Sequence, residues 1–394
     1  MKQVIFLNSH PIQYFVPLYE EITSATNICL EVVYCNDATI KGQQLDKGFG
    51  TTVQWDIPLL SGYKSVFLKN NSPQSFQKNN GFFSLINFGI LNYLHQKPSS
   101  IIIVHGWKYF TFVLTIVAAR LLGHTVVLRG ENPWNQERQK NKIITAVKHL
   151  YLRCLFLFVH KVLYIGKQNK MFYEHLGIKQ GDLLYAPYSV DNKRFRDYFK
   201  NTTKQQAKEK LGIPAEVKVV LYSGKYIAKK RPSDLLKAFA ALQISNVILV
   251  MVGEGELRAE MENFIAQHEL KERVVLTGFI NQSQIPVYYR ASDVFVMCSG
   301  LGETWGLSIN EALNFGIPVI VSDTCGSAYD LVDEGVNGSM FKTGNIQQLT
   351  AALYKYLNTD EEDKKQIAAR SLQIVDGYSY QQIIKSVETL AASN

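Results

Sequence analysis

Cysteine is sparse in this chain. Cys29, Cys35, Cys154, Cys298 and Cys325 are scattered over 394 residues, odd in number and without the spacing of a metal site. That pattern excludes a disulfide framework and fits reduced thiols in a cytosolic protein. Long apolar runs are missing too. The longest, Phe110–Ala119, is closed by Arg120 well short of a membrane span. The opening Met-Lys-Gln-Val-Ile-Phe-Leu-Asn has an apolar run too short for a signal peptide. No Asp-x-Asp occurs, so no obvious divalent-cation site is offered. No glycine-rich phosphate fingerprint follows the first strand, which disfavours a dinucleotide-binding first domain. Internal repeats and low-complexity tracts are absent as well.

The composition that remains, 46% apolar and 19% charged, is globular. The length implies two domains of roughly 150–200 residues each. Forty-two Lys and Arg against 34 Asp and Glu give a net charge of +8, which points to an anionic partner. Three classes qualify: phosphate-bearing small molecules, nucleic acid, or an anionic membrane face. Nucleic acid is the weakest of them, because the basic residues lie on loops and one helix and are not interleaved with aromatics.

Short apolar runs at Val4–Leu7, Ile28–Tyr34, Ile101–His105, Thr125–Arg129 and Val162–Ile165 alternate with helical patterns at Tyr14–Thr23, Phe82–Gln96, Tyr109–Leu122 and Ile143–Phe158. Such alternation is the mark of an α/β fold with parallel sheets covered on both faces. Gly42–Ser61 and Lys69–Gly81, rich in polar residues, read as loops. A second alternating set begins at Val217. The expected organisation is a first domain over 1–195, a second over 196–376, and a helix over 377–394 returning to the first. The segment Lys140–Lys170 sets lysines beside an apolar stripe of Ile143, Ile144, Val147, Leu150, Tyr151, Cys154, Leu155 and Phe158. Its preferred reading is a core helix with snorkelling lysines; the other reading is a helix lying on an acidic membrane surface.

Ligands bind at the carboxyl ends of strands in open parallel sheets, so polar residues there are the candidates. In the first half these are His10, His105 with Trp107, and Arg129 with Glu131 and Trp134; each tryptophan is able to stack on a sugar. In the second half the first strand runs into Ser223-Gly224-Lys225 and then Lys229-Lys230-Arg231, a cationic loop suited to a diphosphate. Gly253 makes a tight turn after the next strand, and Gly278-Phe279 offers a seat for a nucleobase. The fourth strand leads to Gly302-Glu303-Thr304-Trp305-Gly306-Leu307-Ser308, and a helix about ten residues long carries Glu311 and ends at Gly316. Two carboxylates for hydroxyl groups, with bare amides at a helix start for phosphate, suit a nucleotide sugar.

In this order, Gly224-Lys225-x4-Lys230-Arg231, Val-Gly253-Glu-Gly, Tyr-Arg-Ala-Ser-Asp293, Glu303-x7-Glu311 and Gly335–Gly338 resemble the large retaining glycosyltransferase family numbered four. These motifs cover residues 215–345. His10-Pro-Ile-Gln-Tyr-Phe, Arg129-Gly-Glu-Asn-Pro-Trp and Pro187-Tyr-Ser-Val-Asp191 resemble its bacterial polysaccharide-synthesis branch. The resemblance implies the GT-B fold: two Rossmann-like domains facing across a cleft, with the C-terminal helix crossing back. It implies that Glu311 binds ribose hydroxyls and Glu303 the donor sugar. Lys225 and Lys230 would neutralise the departing diphosphate, with the amides of Gly306 and Leu307 on phosphate or sugar. Lysine at 225 replaces the usual arginine and loses a bidentate grip.

The reaction so implied is retaining, metal-independent hexosyl transfer from a UDP- or GDP-type donor to a sugar or lipid-linked glycan. No cofactor is required. The acceptor would sit near His10, His105, Arg129 and Glu131, and the protein would work in the cytoplasm or on the inner membrane face. The rival expectations are a nucleotide-sugar epimerase on the same fold and a non-catalytic glycan-binding protein.

Overall fold

The computed structural model describes residues 2–40, 44–46, 51–53, 56–74 and 81–392. It divides into two compact units. One comprises 1–44, 58–188 and 380–394; the other comprises 45–57 and 189–379.

The first unit is built on a seven-stranded parallel sheet. Its strands are β1 (Gln3–Asn8), β2 (Cys29–Tyr34), β3 (Lys64–Phe67), β4 (Ile101–Val104), β5 (Thr125–Leu128), β6 (Lys161–Tyr164) and β7 (Leu183–Tyr185). Their spatial order is β3-β2-β1-β4-β5-β6-β7. Central strands such as Ile101–Val104 are wholly apolar because helices bury them from both sides. Helix α1 (Val16–Ala25) presents Val16, Leu18, Tyr19 and Ile22 to one face. Helices α2 (Phe110–Leu121) and α3 (Lys142–Phe156) cover the other; Asn141 caps α3 by accepting from the amides of Ile143 and Ile144. Far along the chain, α6 (Tyr380–Ala392) packs Tyr380, Ile383, Ile384, Val387 and Leu390 against the α1 side of the sheet.

The second unit repeats the plan. Strands β8 (Lys218–Ser223), β9 (Val247–Val252), β10 (Val274–Gly278), β11 (Val294–Met297), β12 (Val319–Ser322) and β13 (Gly338–Phe341) lie parallel in the order β10-β9-β8-β11-β12-β13. Strand order therefore reverses between β8 and β11. Helix α4 (Pro232–Ala240) follows β8, and α5 (Leu307–Leu313) follows β11.

Four local expectations are corrected. Phe82–Gln96 is not one helix: a single 3-10 turn at Phe82–Ser84 precedes a helix at Gly89–His95, because Asn87 leaves the helical path to bind the carbonyls of Cys35, Leu68 and Lys69. Part of Gly42–Ser61 lies outside the described residues; within it, Gln44–Asp46 pairs with Thr51–Val53 as a short two-stranded ribbon. Of Lys69–Gly81, residues 75–80 are likewise outside. The helix carrying Glu311 spans seven residues, not ten, since the amides of Asn314, Phe315 and Gly316 turn back to carbonyls three residues earlier. Most of the Lys140–Lys170 stripe is not core at all. Ile143, Ile144, Val147, Leu150, Tyr151 and Cys154 are exposed, and α3 buries His149, Leu152, Leu155 and Phe156 instead.

Candidate functional site

The reversal between β8 and β11 opens a crevice at the carboxyl ends of those strands, and two loops meet there. The loop after β8 runs Gly224–Arg231. The loop after β11 runs Cys298–Gly306. Lys229 joins them twice: its ammonium donates to the carbonyl of Gly302 (2.8 Å), and its own carbonyl accepts from the Gly300 amide (2.7 Å). With the loops so fixed, Lys230 forms an ion pair with Glu303. Ser299 Oγ also donates to the same Glu303 oxygen at 3.3 Å. Glu303 is buried and Lys230 largely so, which makes this a desolvated cation–carboxylate pair in place of two surface charges. Arg231 adopts a left-handed conformation (φ 50°), which ends the 3-10 turn Ala228–Lys230 and starts α4; its Nε donates to Asp234 at 2.6 Å.

Three of the expected glycines form one interlocked backbone cluster. The Gly224 amide donates to Val252 O at 2.9 Å, and the Gly253 amide to Gly278 O at 3.0 Å. A Cβ on Gly253 (φ 151°) would stand 2.0 Å from Gly224 O, so only glycine lets the ends of β8, β9 and β10 close together. Gly306 (φ 95°) is similarly constrained: a Cβ there would meet Met297 Sδ at 2.6 Å. Phe279 and Lys225 are half-buried at the ends of β10 and β8.

Glu311 lies within α5, buried, and accepts from Tyr289 Oη at 2.7 Å. Thr304 is half-buried, whereas the Trp305 indole is buried and donates to Asn310 Oδ1 at 2.8 Å. The Trp305 carbonyl accepts from Ser327 Oγ (2.6 Å) and Cys325 Sγ (2.8 Å), so this residue anchors the loop bearing Glu303. Burial pushes the Cys325 thiol up to about 12. Tyr289 and Ser299 are supports that motif reading did not single out as site residues. Tyr289 carried a signal, since a tyrosine one residue before an arginine stood in a noted motif. Ser299 stands in the Cys298-Ser299 pair where the resembled family commonly has Pro-Ser, but its contact with Glu303 depends on how the loop folds.

In the first unit the candidates gather at the carboxyl ends of β1, β4 and β5. Arg129 is buried, with its guanidinium beside the Phe15 and Tyr188 rings (5.1 and 4.8 Å from their centroids) and 3.8 Å from Glu131. The His105 ring lies edge-on to Phe15, with 4.8 Å between centroids. Among the described residues no hydrogen-bond partner meets His105 Nε2, Arg129 Nη1 and Nη2, or Asn8 Oδ1, all of them buried. Burial, and then the Arg129 charge, hold His105 well below the usual imidazole value; burial alone pushes His10 down to about 4. Ser9 Oγ and His10 Nδ1 are 2.9 Å apart. The two tryptophans go elsewhere. Trp107 stacks on Phe172, and Trp134 lies against His175 with centroids 4.1 Å apart, so both rings serve packing.

A pair of doubly wound parallel sheets, the second carrying a cation–carboxylate site at its switch point, is the GT-B architecture of glycosyltransferases. The comparisons with known proteins agree. The Anabaena protein Alr3699/HepE, solved in complex with UDP and glucose, superposes with a TM-score of 0.73 over 100% of both chains at 17% identity. Residues 203–371 match the family described as "Glycosyl transferases group 1". The chain is 28% identical to an alpha-monoglucosyldiacylglycerol synthase of Acholeplasma laidlawii over 165 residues, 41% of each protein. It is 26% identical to a 2-deoxystreptamine glucosyltransferase of Streptomyces kanamyceticus over 273 residues, 66% of this chain and 69% of that protein. With several curated relatives the match spans only 33–41% of the relative's length. No helix among the described residues is long and apolar enough to cross a membrane.

Proposed function

We propose that the chain is a retaining glycosyltransferase that moves a hexose from a UDP- or GDP-type donor to a sugar or lipid-linked glycan. The observation that carries the reading is the buried Lys230–Glu303 pair at the switch point of the second unit, inside the segment that matches the group 1 family. An ammonium desolvated there suits charge that develops on a leaving diphosphate, and it needs no reorganisation to act.

In this reading Glu311, oriented by Tyr289, takes the ribose hydroxyls, and Gly278 and Phe279 flank the base. Glu303 takes hydroxyls of the donor sugar. Gly224, Gly253, Gly306 and Leu307 let backbone approach the diphosphate or sugar, with Thr304 beside them. The bond between the anomeric carbon and the diphosphate oxygen breaks as the acceptor oxygen bonds to the same face. The acceptor's proton leaves on a phosphate oxygen, so no side chain must act as nucleophile. Lys225 and Lys230 hold the negative charge that the break releases, without a divalent metal. His10, His105, Arg129 and Glu131 belong to the acceptor side, a role supported by the buried, unbonded nitrogens of Arg129 and His105.

The test is a thermal-shift screen of the purified chain against UDP, GDP, ADP and their sugar conjugates, followed by turnover with and without chelator. A ligand at a hundred times its dissociation constant adds about 2.7 kcal/mol. The expected result is a shift with one nucleotide, lost in Glu311→Ala, and chelator-insensitive transfer. No shift with any nucleotide, or product formed from donor alone, overturns the reading.

A further inference from the structure

We propose that the exposed face of α3 is a docking surface for an anionic lipid bilayer, on which the helix lies in the plane of the head groups. Ile143, Ile144, Val147, Leu150 and Tyr151 on α3, with Leu157 just beyond it, are 77%, 69%, 66%, 66%, 42% and 78% exposed. Cys154 is exposed among them. At about 100° per residue these positions form one stripe, opposite the buried His149, Leu152, Leu155 and Phe156. Isolated exposed leucines need no explanation; a contiguous apolar stripe of this kind marks an interaction surface. Leu121 and Leu122, at the end of the neighbouring helix α2, are also exposed.

Charge names the occupant. Residues 101–180 hold twelve Lys and Arg against three Asp and Glu, a net of +9, which exceeds the +8 of the whole chain. From Arg138 to Tyr173 there is no carboxylate, and eight cations occur: Arg138, Lys140, Lys142, Lys148, Arg153, Lys161, Lys167 and Lys170. Lys140 and Lys148 share one buried carboxylate, Glu137, at 2.9 and 2.8 Å. Arg138, Lys142, Arg153 and Lys167 are exposed, and Lys142 and Arg153 border the stripe on one side. An apolar face flanked by cations is what an interfacial helix presents to acidic lipid. A second copy of this chain fits worse, because a two-fold interface would set these cations against their own images. The inference stands independently of the proposed transfer reaction.

The experiment is co-sedimentation of the full chain with vesicles of phosphatidylcholine alone or of phosphatidylcholine mixed with phosphatidylglycerol. Binding to the mixed vesicles, weakened by salt, is expected. Val147→Glu with Leu150→Glu should lower the partition coefficient roughly a hundredfold, each losing the insertion of an apolar side chain. Lys142→Gln with Arg153→Gln should lower it about twentyfold and only on the anionic vesicles. All four positions are exposed, so the melting temperature should stay put. Binding to neither vesicle, wild-type binding by Val147→Glu/Leu150→Glu, or a dimer that this variant splits into monomers would each overturn the proposal. Loss of vesicle binding with a nucleotide shift intact refutes docking alone; the converse refutes only the transferase reading.

Discussion

Lys230 and Glu303 make opposite demands on a bound diphosphate, and that gives a prediction with two signs. Their side chains are 18% and 10% exposed. Removing one member of a fully buried pair costs about 3–5 kcal/mol, because a charge is left without compensation. The residual exposure of Lys230 reduces that to roughly 2–3 kcal/mol for Lys230→Met, or about 4–12 °C for a unit of this size. Glu303→Gln should cost less, since Ser299 keeps a partner and the freed lysine can turn toward water. The double variant holds no orphaned charge, so its loss should fall short of the sum by about 1–2 kcal/mol. Nucleotide binding then separates the two residues. A carboxylate near a bound diphosphate opposes it by roughly 1–3 kcal/mol at intermediate dielectric. Glu303→Gln should therefore bind UDP at least about fivefold more tightly while turnover collapses, and Lys230→Met should bind it at least about tenfold more weakly. Urea titrations of the four proteins, with calorimetric UDP titrations of each, read both effects. Additive stability losses together with weakened UDP binding in both single variants would refute the reasoning.

Gly253→Ala should destabilise by about 3 kcal/mol or more in denaturant melts, because its methyl meets the Gly224 carbonyl and the backbone must part. Tyr289→Phe should cost about 1 kcal/mol and weaken nucleotide affinity roughly tenfold, since the buried Glu311 carboxylate loses a donor. Acid should weaken the first unit. His10, held down to about 4 by burial, stays neutral in the folded chain while the unfolded chain protonates near 6.5. Its stabilisation is thus complete above pH 6.5 and is lost as pH falls from there toward 4. Half-burial of the ring limits the loss to about 1 kcal/mol by pH 5, and His105, displaced in the same direction, adds to it. Melting curves between pH 7 and 5 should flatten in His10→Asn.

What the residues announced in advance was largely local. Val247–Val252 and Val294–Met297 are apolar runs closed by polar ends, and each proved to be a strand with site residues behind it. The repeated strand–helix alternation carried the two sheets in the same way. Sequence offers Lys230 and Glu303 as two separate candidates; what joins them is a strand order that no window of sequence contains, because they stand 73 positions apart. The stripe on α3 shows the other limit. Periodicity reveals that Ile143, Val147 and Leu150 share a face, yet a core helix and an interfacial helix have the same period. Only the surroundings show that nothing among the described residues of its own unit covers that face. Asn87 broke the expected helix for a related reason, since its three carbonyl partners are set by tertiary packing.

Helix α6 belongs to the first unit, but the 191 residues Ser189–Ser379 of the other unit are made between Tyr188 and it. At a synthesis rate of about 5–20 residues per second, the nascent first unit waits roughly 10–40 s for its last helix. During that interval the patch formed by Val4, Phe6, Phe15, Tyr19 and their neighbours lacks the cover of Tyr380, Ile383, Ile384 and Val387. The order of translation thus runs against the order of assembly. The chain's earliest segment cannot finish folding on the ribosome ahead of its later ones, and its open apolar face is the natural client of a trigger-type holdase.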